Sequence, residues 1–117
     1  MDPFQEPALA AFRANMTVEN LWAALEALEG SVFSTAKGLS FTYSIRGGEL
    51  FVSRREKSIT KATVELAFQR ALELGADTTG PKKLGVFGAS YLYPIFLRLG
   101  VIAPPPEAAY EEMRFPI

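Results

Sequence analysis

The chain has 117 residues, 49% of them hydrophobic and 21% charged, with a formal net charge of −1. That is the size and balance of one globular domain, and it excludes a disordered or collagen-like chain. Cysteine and histidine are both absent, which removes disulfide scaffolds, thiolate metal sites, Cys nucleophiles and the commonest general base and metal ligand.

In chain order, residues 7–14 read as a short helix with Leu9 and Phe12 on one side. Thr17 to Glu29 is the clearest helix. Val18, Leu21, Trp22, Leu25 and Leu28 fall at helical spacing as one apolar stripe. Thr17 suits the N-cap, Glu19 complements the positive helix end, and Gly30 suits the position just past the end.

The period then changes from 3.6 to 2. Leu39, Phe41, Tyr43 and Ile45 alternate with Ser40, Thr42, Ser44 and Arg46. Gly47-Gly48 supplies the positive φ angles that a two-residue hairpin turn requires. This turn sets Arg46 opposite Glu49, Ile45 opposite Leu50 and Tyr43 opposite Val52, so opposite charges flank the turn and apolar pairs share a face. Ser31 to Thr35 is expected as a third strand, joined through Ala36-Lys37-Gly38.

Ser58 to Leu74 reads as a helix ending at Gly75. Its polar stripe (Lys61, Glu65, Gln69, Glu73) is narrow, so burial on two sides is expected. Residues 76–83 read as a loop. A last helix is expected from an N-cap at Ser90 to Gly100, with Pro94 in or just past its first turn. Residues 84–103 approach the length of a membrane span. Gly85, Gly88, Ser90, Pro94 and Arg98 within them argue for a core segment instead, since a charge near a helix centre costs about 2.5–3.5 kcal/mol on insertion scales. Pro104-Pro105-Pro106 ends the core, which gives a single compact domain over 1–103 and a proline-rich exit and tail over 104–117.

Ser58-Ile59-Thr60-Lys61 has the S-x-x-K spacing of a serine nucleophile and lysine base. Ser34-Thr35-Ala36-Lys37 matches it too, and the companion motifs are absent. Ser58 or Thr60 is better read as a helix cap, worth about 1 kcal/mol. Gly80-Pro81-Lys82-Lys83 lacks the Walker spacing and reads as a basic turn able to meet an anion. No carboxylate pair stands out as acid and base. The aromatic-rich segment Phe87, Tyr91, Tyr93 and Phe96 fits either core or a pocket wall.

Charge is distributed unevenly. Residues 1–30 carry a net −4, residues 31–83 a net +4 and residues 84–117 a net −1. A pI near 5.5 argues against a dedicated non-specific nucleic-acid binder, yet the basic middle leaves room for a local surface.

These patterns predict an α+β fold, with a small antiparallel hairpin or three-stranded meander over 31–54 against three or more helices. The leading functional expectation is a non-enzymatic binding or assembly module without cofactor, cytoplasmic and outside the membrane. It would self-associate through the apolar faces of its last two long helices. The alternative is a nucleic-acid-binding domain using the hairpin–helix corner over 46–61. Its expected phosphate or base contacts are Arg46, Phe51, Arg54, Arg55, Lys57 and Lys61, with Lys82 and Lys83 from the later turn.

Overall fold

The computed structural model describes residues 5–103. Helix α1 (Gln5–Ala14) packs on α2 (Val18–Ala27). Thr17 Oγ1 accepts from the Asn20 N–H at 3.2 Å and caps α2 as expected. Leu21, Leu25 and Leu28 are fully buried, and burial of each such side chain contributes about 1.5–3 kcal/mol. Val18, at the stripe's head, is exposed instead, and Trp22 is half-buried with its indole N–H donating to Glu65 at 2.9 Å.

The hairpin forms between β3 (Tyr43–Arg46) and β4 (Glu49–Val52) in the expected register, with Arg46 opposite Glu49 and Tyr43 opposite Val52. Gly47 and Gly48 take φ of +59° and +77°, the two positive angles that match the twist of the flanking strands. Tyr43, Leu50 and Val52 are buried, and Ile45 is half-buried at the hairpin's end.

The third strand differs from the expected meander. β1 (Phe33–Ser34) pairs only with β2 (Ser40–Phe41), in a ladder separate from β3–β4. The break falls at Thr42, whose N–H goes to the Ser53 hydroxyl at 3.0 Å while its carbonyl takes the Ser53 N–H. A single bond from Gly30 N–H to the Tyr43 carbonyl continues the first ladder past the break. Leu39, expected to share the buried face, lies in the turn before β2 and is 45% exposed.

α3 (Lys61–Leu74) starts three residues later than the periodicity implied, because Thr60 caps it. Ile59 is instead drawn against β4. Leu50 and Ile59 exchange both backbone bonds, at 2.9 and 2.8 Å, which closes the free edge of the hairpin. The core side of α3 (Val64, Ala67, Phe68, Ala71) is buried, whereas Leu66 and Leu72 are exposed.

Two 3-10 turns, Gly75–Asp77 and Pro81–Leu84, lead to α4 (Ala89–Leu99). Arg70 on α3 fastens the second turn by donating Nη1 to the carbonyls of Leu84 and Gly85 at 2.9 and 3.0 Å. The N-cap of α4 is Gly88 in the left-handed region, with no side-chain cap, so Ser90 lies inside the helix and Pro94 in its second turn. A proline there removes the bond to the Ser90 carbonyl. That carbonyl belongs to an exposed residue, where water can replace the lost donor.

Leu92, Ile95, Phe96 and Leu99 of α4 are fully buried. Rings join the layers: Phe12, Phe68 and Phe96 form one chain, and Phe33, Phe41 and Tyr91 link the β ladders to α4, with Phe41 and Tyr91 edge-on at 5.0 Å. Among the described residues, no helix is long and apolar enough to cross a membrane. Within 84–103, read from the sequence as a core segment, only Ala89–Leu99 is α-helical, after the turn at Leu84–Gly85. Pro104 and the tail expected beyond it lie outside the described residues.

Candidate anion-binding cleft

The loop over residues 53–58 carries three of the expected contact residues, Arg54, Arg55 and Lys57. Its first end is held by the Ser53–Thr42 bond and the Arg55 N–H to the Val52 carbonyl, and its far end by the Leu50–Ile59 bridge. Ser58 donates its hydroxyl to Glu49, so it neither caps α3 nor stands free as a nucleophile, and Lys61 beyond it is exposed. A loop pinned at both ends presents its side chains with less entropy to lose on binding.

The pinned loop faces the start of α4. Arg55 Nε donates to the Tyr91 hydroxyl at 3.3 Å, and its guanidinium carbon lies 5.8 Å from that ring's centre. The Lys57 ammonium stands 4.8 Å over the Phe87 ring. Between them is a niche of about 90 Å³, floored by Val52, Ile59 and Gly88. Arg55, Ser90 and Tyr91 also form the wall of a second, wider cavity of about 420 Å³. Its other side is built by Lys37 from the turn between β1 and β2 and by Pro81 and Lys82 from the second 3-10 turn.

The two cavities share Arg55, Ser90 and Tyr91 as a common wall, and together, as one cleft in two parts, they are lined by four basic side chains, Lys37, Arg55, Lys57 and Lys82, and by no carboxylate. None of the four forms an ion pair among the described residues. Like charges gathered on low-dielectric walls raise the local positive potential, which a bound anion relieves. The start of α4, without a side-chain cap, adds a smaller positive contribution at the same place.

The expected site is therefore divided. Arg55, Lys57 and Lys82 come together in the cleft. Arg46 and Phe51 pair with each other on the hairpin's outer face, the guanidinium 4.5 Å from the ring centre, in a separate hollow that Glu29 and Glu56 also line and that shares Arg55 with the cleft. Arg54 turns back to the Ser40 carbonyl at 2.6 Å. The Lys61 stem lies beside the hairpin turn, its Cδ 3.8 Å from where a Gly48 Cβ would stand. Lys83 is exposed outside the cleft lining.

Sequence reasoning missed Lys37, whose Ala-Lys-Gly turn carries no local sign of what it faces. It also left Phe87 and Tyr91 undecided between pocket and core. The tertiary structure leaves Phe87 43% exposed and Phe96 fully buried, while Tyr91 is both, a buried core residue that also lines the cleft.

One further polar group is fixed by burial. The Tyr43 hydroxyl donates to the Leu25 carbonyl of α2. Burial, with Glu29 adding to it, pushes the phenol far above its ordinary range, so it stays a neutral donor. Among the described residues no cluster of three or more carboxylates is placed to hold a metal ion.

No family model, no curated protein and no solved structure matches this chain.

Proposed function

We propose that this protein binds nucleic acid through the cleft between the 53–58 loop and the start of α4. One observation carries the reading: Lys37, Arg55, Lys57 and Lys82 come from three separate stretches of chain yet line one cleft without a carboxylate, beside an exposed aromatic ring. A small inorganic anion would need only the cations. The ring adds a surface suited to a planar heterocycle, and the combination is that of backbone-tracking, base-stacking sites. The role is binding rather than catalysis, and a cytoplasmic location goes with it as a compartment where nucleic acid is met.

The test is fluorescence polarisation with labelled oligonucleotides across a salt series. Each lost phosphate contact flattens the slope of log K against log salt by about 0.7 to 0.9. Arg55→Ala with Lys57→Ala is expected to flatten it by roughly twice that and to weaken binding of all sequences alike. Arg46→Ala, on the other face, is expected to change it little. No binding at about 50 mM salt, where phosphate contacts are favoured, or a larger loss from Arg46→Ala, overturns the proposal.

A second reading, self-association, has its own observation. Leu66 and Leu72 on α3 are exposed and frame a groove with Val18 of α2. The matching expectation for α4 loses its motive, because the apolar face of α4 is buried within this chain.

A further inference from the structure

Resting on the nucleic-acid reading, we infer that the cleft takes an unpaired strand, with a base laid on the Phe87 ring and the adjoining phosphates held by Arg55 and Lys57. Phe87 is the one aromatic side chain among the large hydrophobic residues exposed in the described part of the chain, at 43%. Its position is imposed by the backbone. Gly85 and Gly88 flank the turn with φ of +62° and +80°. A Cβ on either would collide, with Arg70 at 2.8 Å or with Ile59 at 2.4 Å. Val86 in the same turn packs against the core and the ring beside it projects outward, so apolar surface stays in water where about 25 cal/mol per Å² favours covering it.

What covers it must present a flat face. In a duplex the faces of the bases are stacked on one another, and only edges and backbone are offered outward. An unpaired strand offers base faces that stack on aromatic rings regardless of sequence. The surroundings fit that partner. The Lys57 ammonium, 4.8 Å over the ring, swings off that face on its flexible stem to admit the base, and can then meet a phosphate of the same nucleotide. Arg55 keeps its guanidinium edge available, because it spends only Nε on the Tyr91 hydroxyl, and that edge can grip a phosphate through two parallel bonds. The wider part of the cleft, about 420 Å³, is reached from the Phe87 niche past Arg55 and Tyr91 and has room for the neighbouring nucleotide.

The experiment compares a labelled 12-nucleotide single strand with its own duplex, against wild type, Phe87→Ala, Phe87→Tyr and Arg55→Ala. Thermal melts confirm that each variant folds. The single strand is expected to bind more tightly than the duplex. Phe87→Ala is expected to weaken single-strand binding about 5- to 160-fold, the range for losing one stacked base, and to leave duplex binding unchanged. Phe87→Tyr, which keeps a ring, is expected to restore it. A 2-aminopurine in the strand is expected to be quenched by wild type and not by Phe87→Ala. Equal or tighter duplex binding, or a Phe87→Ala protein that binds the strand like wild type, overturns the unpaired-strand inference. If Arg55→Ala still weakens binding in that case, the nucleic-acid reading stands. Absence of binding to either form overturns both.

Discussion

Replacing Gly88 by alanine tests whether the cleft floor is as rigid as its geometry implies. The residue sits at φ +80°, and an added Cβ would lie 2.4 Å from Ile59 Cδ1 and 2.7 Å from Cγ1. A left-handed alanine costs about 1–2 kcal/mol by itself. The Ile59 terminal methyl can rotate aside, but Cγ1 cannot follow, because Ile59 is buried and its backbone is tied to Leu50 by two hydrogen bonds. Overpacking of that kind costs about 1–3 kcal/mol more. The expected loss is therefore roughly 2–5 kcal/mol, a large part of the 5–15 kcal/mol of an ordinary domain.

Gly30→Ala is the control. Its φ is +82°, but nothing lies within 4 Å of the added Cβ, so only the backbone cost is expected. Ile59→Ala removes both offending carbons and leaves a Cβ 3.8 Å away. In that background Gly88→Ala is expected to cost no more than Gly30→Ala, a coupling of about 1–3 kcal/mol. Urea titrations followed by the fluorescence of the single tryptophan, Trp22, read all five proteins. Equal losses for Gly88→Ala and Gly30→Ala in the wild-type background would refute the contact.

Two other predictions follow from burial. Tyr43 ionises at an ordinary 10.0 in the unfolded chain and far higher when folded, so above pH 10 the folded state holds the extra proton. Stability then falls as pH rises, by up to about 1.4 kcal/mol per pH unit from this group. Tyr43→Phe should remove that part of the slope in urea titrations between pH 9 and 11.5, and identical slopes would count against it. If the α3 groove is an interface, light scattering at tens of micromolar should report a particle larger than 12.8 kDa. Leu66→Lys with Leu72→Lys should return it to monomer, and a wild-type monomer at that concentration removes the self-association reading.

What the sequence alone determined about this protein is local. Period-2 alternation meeting Gly47-Gly48 leaves one register for the hairpin, because a slip of one residue would turn Tyr43, Leu50 and Val52 into water. Thr17 and the Leu21–Leu25–Leu28 stripe define α2 from within one segment. The mixed α+β class follows from that change of period. The tertiary structure decided everything that depends on two distant segments meeting. It moved Ile59 from the expected helix onto β4, since closing a sheet edge satisfies two backbone groups that a longer α3 would leave to β4 as open valences. It exposed Leu39 and left Leu66 and Leu72 uncovered, which periodicity cannot foresee because an apolar face says nothing of whether a neighbour reaches it. It placed Arg46 and Phe51 in a hollow apart from Lys57, only six residues beyond Phe51, with Arg55 standing between the two. Above all it joined Lys37, Arg55, Lys57 and Lys82 around Phe87 and Tyr91. A charge in a turn carries no signature of its spatial neighbours, and only packing of the β ladders on α4 brings these together.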